Sequence, residues 1–370
     1  MRALILATWF PSREVPAQAP FNLLHAQAVA ARQDVRVLHV RLGGRGAVVR
    51  STVGGLAVTS IPLRTQNPLS YLRLARTFWS AARHADVLHS MAFSAALVAA
   101  VLPRPPGLRW IHTEHWSGMT SPATVSPLWL KLAWLRYLLR LPQRVTAVSN
   151  AQADGLRPFV RAGRLSVVPN VIPFGRLRNG GGSGDRNHDD GGDDAGLRLV
   201  AVGGLTAGKR PVTAVETVAW LHAHGHLARL IWVGDGPERE ATQAAIHRHG
   251  LDASVAISGR VPHDRVEEYL RDADVFLLPT AHETFCVSAA EAVAVGLPVV
   301  MTDLPAVRDF LTPQNSVLVR ESSASAFGQA VVQAAETFRE TAPADIAATI
   351  AGRFSPDAVA RQFDELYRSL

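Results

Sequence analysis

Short apolar runs of strand length alternate with amphipathic or alanine-rich stretches along the whole chain. In the first half, Arg2–Ala7, Val35–Val40, Asp86–His89, Trp110–His115, Val145–Ser149 and Leu165–Pro169 read as strands. Leu23–Ala31, Leu69–Ala85 and Met91–Leu102 read as helices between them, and Val53–Pro62 alternates like a hairpin around Gly54-Gly55. In the second half, strands are expected at Leu197–Val202, Leu230–Val233, Val255–Ser258, Val275–Leu278 and Pro298–Met301. Helices are expected at Val212–His224, His263–Arg271 and Val287–Val295, with an amphipathic Ser355–Leu370 at the end. Strands alternating with helices predict an α/β chain of two doubly wound, Rossmann-like domains. The boundaries fall at 1–178 for the first domain, 197–352 for the second and 353–370 for a closing helix. Residues 179–196 (NGGGSGDRNHDDGGDDAG) hold no large apolar side chain and read as a disordered linker, too flexible to hold a metal through its acidic pairs.

Composition adds two constraints. One cysteine, Cys286, allows no internal disulfide and fits a reducing, cytoplasmic compartment, and no secretory leader or membrane-spanning run is visible. Charge is divided unevenly: residues 1–178 hold 22 Arg and Lys against 5 Asp and Glu, a balance of +17, and residues 179–370 hold 16 against 26, a balance of −10. The basic half predicts an anionic partner. Within it, PLWLKLAWLRYLLRLPQR (127–144) spaces Leu128, Leu132, Leu135 and Leu139 as a helical stripe. Arg136, Arg140 and Arg144 recur every four residues, with Trp129, Trp134 and Tyr137 between. That make-up suits a helix lying on an anionic bilayer, and equally a surface helix packed by its leucines. No nucleic-acid motif accompanies the charge.

The densest chemistry lies in Asp274–Val300 (DVFLLPTAHETFCVSAAEAVAVGLPVV). A buried strand, a polar turn, an alanine-rich helix and a second strand form a β-α-β unit with Glu283 in the turn and Glu291 in the helix. Glu291 lies among Ala289, Ala290, Ala292, Val293 and Ala294, where a carboxylate needs partners, and sugar hydroxyls supply them. The turn brings the backbone of Thr284, Phe285, Cys286 and Val287 to a helix amino end, a seat for phosphate. A solvent-facing Glu291 and a merely capping Glu283 fit the same spacing.

Glu-x7-Glu followed by Gly-x-Pro-Val-Val resembles the signature of the retaining glycosyltransferases of family 4, which have the GT-B fold. The resemblance implies two Rossmann-like domains facing across a cleft, with the last helix crossing back to the first. It implies a nucleoside-diphosphate sugar (UDP- or GDP-) as donor, a glycan, lipid-linked or small-molecule acceptor, retention at the anomeric carbon, and no metal or other cofactor. Residue by residue, it assigns Glu283 to the transferred sugar, Glu291 to the ribose, Lys209 to the diphosphate and His115 to the pocket near the transferred sugar. Gly203 and Gly204 fall in its glycine-rich donor loop, Arg260 and Val261 in the segment whose backbone meets the base. Ala19, Pro20 and Phe21 stand at its phosphate and acceptor loop. The chain departs from the pattern at Gly204, where an arginine is usual, and at Thr284 and Cys286, where glycines are usual; Arg210 and Arg260 are candidates for the missing cation.

Other motifs narrow the field. No Gly-x-Gly-x-x-Gly follows the first strand, which disfavours a nicotinamide-dependent dehydrogenase. Asp272-Ala273-Asp274 matches a metal-binding triplet in form but ends a helix before a buried strand. Two alternatives to glycosyl transfer stand beside it: a nucleotide-sugar epimerase of the same fold, and a catalytically weak protein that binds nucleotide sugar and membrane.

Overall fold

The computed structural model describes all residues except 13, 14, 16–18, 65, 123, 124 and 179–195; the expected linker therefore lies outside the described residues, Gly196 apart. Two compact units emerge, Met1–Val171 with Pro356–Leu370, and Ile172–Ser355. The chain thus changes unit at 171/172 and at 355/356, where the sequence placed the boundaries at 178 and 353. Residues 172–178 are tied into the second unit: Ile172 N–H donates to Phe354 O and Arg178 N–H to Val295 O.

In the first unit, β1 (Arg2–Ala7), β2 (Asp34–Leu42), β4 (Leu56–Leu63), β5 (Val87–Met91), β6 (Arg109–Glu114), β7 (Arg144–Ala147) and β8 (Leu165–Val167) pair in parallel. β3 (Val49–Val53) joins β4 antiparallel through the Gly54-Gly55 turn. The order is β3-β4-β2-β1-β5-β6-β7-β8, so the winding reverses between β1 and β5. Alternate strand residues serve opposite faces. Leu4, Leu6, Leu38, Val40, Leu88, Val145 and Ala147 meet α2 (Pro68–Ala82), α3 (Phe93–Val101) and Leu139 in one core. On the other face, Ala3, Val87 and Ile111 pack with α1 (Pro20–Ala30) and the C-terminal helix α12 (Pro356–Arg368) through Val29, Val359 and Phe363. The C-terminal helix thus belongs to the first unit, held by Gln33–Asp364 (2.7 Å), Arg32–Asp357 (3.0 Å) and the Tyr367 hydroxyl on His89 Nδ1 (2.8 Å).

Two expectations change here. Proline at N1 starts α1 at Pro20, three residues early, so Ala19 to Phe21 form a helix start, not a loop. The 127–144 stretch is not one α-helix: α4 covers only Pro127–Leu132, and Ala133–Arg140 tightens to a 3-10 helix, joined by α5 (Asn150–Leu156) beyond β7. The tighter turn breaks the leucine stripe, burying Leu139 while Leu128 stays 67% exposed.

The second unit is a parallel six-stranded sheet, β9 (Leu197–Val202), β10 (Ala228–Val233), β11 (Val255–Gly259), β12 (Val275–Leu278), β13 (Val299–Thr302) and β14 (Ser316–Val319), ordered β11-β10-β9-β12-β13-β14. Its helices are α6 (Pro211–Ala223), α7 (Arg239–Arg248), α8 (His263–Arg271), α9 (Val287–Ala294), α10 (Ala324–Thr337) and α11 (Pro343–Phe354). Winding reverses between β9 and β12, which places any ligand crevice beyond the carboxyl ends of those two strands. At the opposite, amino ends of the same strands Asp274 holds Arg198 at 2.8 Å, an ion pair that fastens the strand starts together.

Candidate active site

At the β9/β12 reversal three loops are pinned together by backbone contacts. Gly203 N–H donates to Val233 O, Leu205 N–H to Asp235 O, and Trp232 Nε1 to Gly203 O (2.9 Å). A Cβ on Gly234 would come within 2.0 Å of Gly203 O, and one on Gly236 within 2.3 Å of Leu205 O, so this turn tolerates no side chain. From the other side, Ala281 N–H and the Thr280 hydroxyl both donate to Gly208 O, at 2.7 and 3.1 Å. That fastening brings the loop after β12 against the loop after β9. It places Glu283 on Lys209 as a close ion pair whose side chains are 11% and 24% exposed. The Lys209 stem runs along Gly203, where a Cβ would touch it at 3.5 Å.

Burial alone would lower the Lys209 pKa; the negative potential around Cys286 and Glu283 outweighs it and holds the ammonium above its ordinary value. The Cys286 thiol itself is pushed up to about 12 by burial and by Glu283. It stays neutral, so Glu283 is the charge that counts at neutral pH. One turn into α9, Glu291 is pushed up to about 8 by burial, and Nε2 of His263, the first residue of α8, lies 3.4 Å from its Oε1. His263 is itself lowered by burial, against the pull of Asp264.

The other second-unit candidates divide by role. Cys286 is the N-cap of α9 in the left-handed region (φ 70°, ψ 74°) and offers no side-chain cap. This explains why glycine is usual at that position. Phe285 points away, into a cluster with Phe310 (5.0 Å) and Phe354 (5.7 Å), so only its backbone is available. Val287 opens α9, with the Ser288 hydroxyl tied to Val202 O at 3.1 Å; Thr284 and Gly204 flank the same turn system. Arg260 and Val261 lie between β11 and α8, Arg260 exposed and with no ion pair among the described residues. Arg210 is occupied: its guanidinium donates to Ser322 Oγ at 2.6 Å.

In the first unit, His115 follows β6 directly, its ring packed against Phe21 (4.8 Å) and His25 (4.9 Å). Burial lowers it well below the ordinary histidine value, and His25, His112 and His89 push the same way, so it is a neutral ring at physiological pH. Burial likewise takes His25 to about 4, against its bond to Pro169 O. His25 Nδ1 and Asn22 Oδ1 are buried without a hydrogen-bond partner among the described residues, and the buried His115 ring has only the Asn170 side chain near it, close enough to oppose the lowering but outside good hydrogen-bond geometry. Unmet polar atoms in such density call for a hydroxyl-bearing guest or water. Behind His115, the buried Glu114 accepts the backbone N–H groups of His115 (2.9 Å) and Trp116 (2.8 Å) and faces His112 Nε2 at 3.2 Å.

His263, Thr280, Glu114, His25 and Asn170 escaped the sequence reading as site residues. His263 directly follows the Gly-Arg-Val-Pro segment, Glu114 directly precedes His115 and Thr280 opens the Glu283 turn, and those adjacencies were the available signals; for His25 and Asn170 the link is made only by the folded sheet.

Residues 21–171 match the family described as glycosyl transferase 4-like domain, and residues 196–337 that of glycosyl transferases group 1. Over 138 residues the chain is 35% identical to a 2-deoxystreptamine N-acetyl-D-glucosaminyltransferase of Streptomyces fradiae, covering 36% of this chain and 32% of that one. Over 206 residues it is 33% identical to a GDP-mannose-dependent alpha-mannosyltransferase of Mycobacterium tuberculosis, covering 54% and 48%. The aligned parts thus span about a third to a half of these curated relatives. Among solved structures, Anabaena HepE in complex with UDP and glucose superposes with a TM-score of 0.77 at 16% identity, over 99% of both chains. With two doubly wound units of GT-B architecture and a family match over each, the chain belongs to the family 4-like glycosyltransferases.

Proposed function

We propose that the protein transfers a sugar from a nucleoside-diphosphate sugar to an acceptor hydroxyl with retention at the anomeric carbon. The observation that carries this reading is the Lys209–Glu283 pair at the β9/β12 reversal, in the loop that leads to the uncapped amino end of α9, with Glu291 one turn into that helix. Lys209 would turn to the diphosphate as negative charge gathers on it, helped by the orphan N–H groups at the α9 start. Glu283, released from Lys209, would accept sugar hydroxyls, and Glu291 the ribose hydroxyls. The acceptor oxygen bonds to the anomeric carbon as the C–O bond to the diphosphate breaks on the same face, and the acceptor proton passes to the departing phosphate oxygen. In the first unit, the neutral ring of His115 would read a hydroxyl. Arg260 remains the candidate for the cation missing at Gly204.

Donor binding would need no metal ion. The acceptor is a glycan, lipid-linked or small-molecule hydroxyl, and the two relatives, by name an N-acetylglucosaminyl- and a GDP-mannose-dependent mannosyltransferase, leave UDP and GDP both to be tested. A cytoplasmic site at the inner face of a membrane fits the 127–144 segment, where Leu128, Leu130, Trp134 and Tyr137 are exposed beside Lys131 and Arg140. No helix among the described residues is long and apolar enough to cross a membrane. Thermal shift of the purified protein with UDP or GDP, with and without EDTA, tests the donor site. Stabilisation by one nucleotide, unchanged by EDTA, supports the reading; stabilisation by neither overturns it. Labelled donor then separates transfer from epimerisation, which releases an altered sugar without acceptor.

A further inference from the structure

The alternation in the first sheet puts α2, α3 and the 127–140 segment over the same face: Leu74 and Phe78 of α2 share one core with Leu139 and Trp129. The outer side of this helical layer is unusual. Of the nineteen exposed large apolar residues among the described residues, twelve fall between 69 and 141, in the segments that build this layer and the turns flanking them: Leu69, Tyr71, Leu72 and Trp79 on α2, Val101 at the end of α3, and seven from Val125 to Leu141. Leu69 is 71% exposed, Trp79 41% and Trp134 63%. A chain that merely tolerates surface leucines scatters them singly; concentration on one layer marks a docking face.

Charge says what docks. From residue 35 to 153 the sequence has 14 Arg and Lys and only two acidic residues, Asp86 and Glu114. Asp86 pairs with Arg2 at 3.1 Å, and Glu114 is fully buried, so no free carboxylate breaks this surface. On α2, Arg73 and Arg76, and at its C-cap Arg83, stand exposed among the apolar side chains. Between α2 and the segment after α3 runs a groove of about 440 Å3, lined by Arg76, Trp79, Ser80, Arg83 and Pro103. Two guanidinium groups flank an indole and a hydroxyl there, groups that suit a phosphate at a polar–apolar boundary.

We infer that α2 forms, with 127–141, one docking face for an anionic phospholipid bilayer, and that the groove beside Trp79 seats a headgroup phosphate between Arg76 and Arg83. This extends the 127–144 contact proposed above and rests on it in part. Arg136, by contrast, is used internally: it donates to Ala133 O and Met119 O and lies 4.0 Å over the Phe159 ring, which leaves α2 to supply much of the cation density.

Sedimentation of the full chain with phosphatidylcholine vesicles, with and without phosphatidylglycerol, tests this. Binding to the anionic vesicles alone is expected. Arg76→Glu with Arg83→Glu, and separately Leu69→Gln with Leu72→Gln, are each expected to lower the partition coefficient at least about tenfold, since each arginine near an anionic surface contributes several-fold. Arg229→Glu with Arg248→Glu, the same charge change on exposed positions of the second unit, is expected to stay within about twofold. If Leu128→Gln with Trp134→Gln releases the protein while both α2 pairs bind like wild type, the α2 inference falls and the 127–144 contact stands. Equal losses in the second-unit control reduce the effect to net charge and overturn the headgroup seat. Wild type that ignores anionic vesicles but self-associates, with dimers lost in the α2 pairs, overturns the bilayer as occupant.

Discussion

Each unit has one point where its winding reverses, and the two points differ in chemistry while sharing a backbone device. The four described non-glycine residues with positive φ are Ala19 (47°), Ala92 (66°), Arg210 (50°) and Cys286 (70°). Each is the N-cap of the helix that follows a reversal strand, β1, β5, β9 or β12, and none gives a side-chain cap. By contrast, α2, α4, α5 and α10 start on Asn67, Ser126, Ser149 and Ser323, whose oxygens accept backbone N–H groups. Strained, uncapped starts at the reversal points leave N–H groups turned toward whatever binds there. In the second unit that setting holds charge, Lys209 with Glu283, and Glu291 beside it. In the first it holds neutral groups: His115, His25, Asn22, and the Thr8 hydroxyl 2.5 Å from that of Ser94. On the proposed reading, the same architecture serves a diphosphate in the second unit and a hydroxyl in the first.

The largest effect is expected where that charge is removed. Lys209→Ala is expected to lower transfer by about 100- to 1000-fold, the scale of losing one group that stabilises a developing anion. It also leaves Glu283 buried without its partner, so the melting temperature falls too. Lys209→Met with Glu283→Gln removes both charges and is expected to regain stability but not activity. A double variant as unstable as the single one breaks the pairing argument; wild-type rates in Lys209→Ala break the site.

Next in size is a pH effect confined to the second unit. Glu291 has its folded pKa raised from 4.5 to about 8, so burial favours the folded state least once the carboxyl ionises: the contribution is full below 4.5 and lost as pH rises through 8. Ribose hydroxyls that donate to the carboxylate bind its ionised form. Nucleotide affinity, measured by calorimetry, is therefore expected to climb up to about tenfold per pH unit between 6 and 8 and then level, with a proton released on binding. Glu291→Gln is expected to flatten that dependence, and a slope that survives the substitution removes Glu291 from the ribose. His263→Gln, which keeps a polar group near Glu291, is expected to shift the curve but not abolish it.

The first unit is expected to behave in the opposite way. Burial takes His25 to about 4 and holds His115 well below the ordinary histidine value, with its neighbouring histidines working in the same direction, so both rings are neutral from pH 6 to 8. His115→Gln is expected to lower transfer about 10- to 100-fold with no change in the shape of the pH profile from 6 to 8. An acid limb that vanishes in the variant means that the ring works as a cation, and the contrast between the units fails.

How much of this was legible in the sequence follows the same division. The second unit is legible because its chemistry lies within one contiguous β-α-β unit: strand β12, the Glu283 turn and α9 stand where spacing placed them, while the side chains of Phe285 and Cys286 proved to be buried. The first unit's strands were legible by alternation, but its polar cluster was not. His115 comes from the end of β6, Asn22 and His25 from α1, and Asn170 from beyond β8, and no local pattern links positions that only a parallel sheet brings together. The 127–144 stripe misled for a related reason. Its period fits an α-helix, yet tertiary packing of Leu139 and the inward turn of Arg136 favoured a 3-10 helix from Ala133.

The smallest effect bears on the backbone device that the two units share. A left-handed residue with a Cβ costs about 1–2 kcal/mol relative to glycine, while glycine loses about 0.5–1 kcal/mol through its freer unfolded chain. Cys286→Gly is therefore expected to stabilise the fold by roughly 0–1 kcal/mol in denaturant titration and to leave nucleotide binding intact, since the backbone shape is kept. Ala19→Gly, left-handed like Cys286, is expected to shift stability by the same small amount and sign, and Ala92→Gly, whose ψ of 152° lies outside the left-handed well, to gain at least as much. Matching gains at all three positions mean that the strain belongs to the reversal points as such and is carried in both units for the sake of open helix starts. A loss at Cys286 alone, with gains at Ala19 and Ala92, assigns the thiol a packing role beside Glu283 and Lys209, and the second site then owes its shape to its own side chains rather than to the plan it shares with the first.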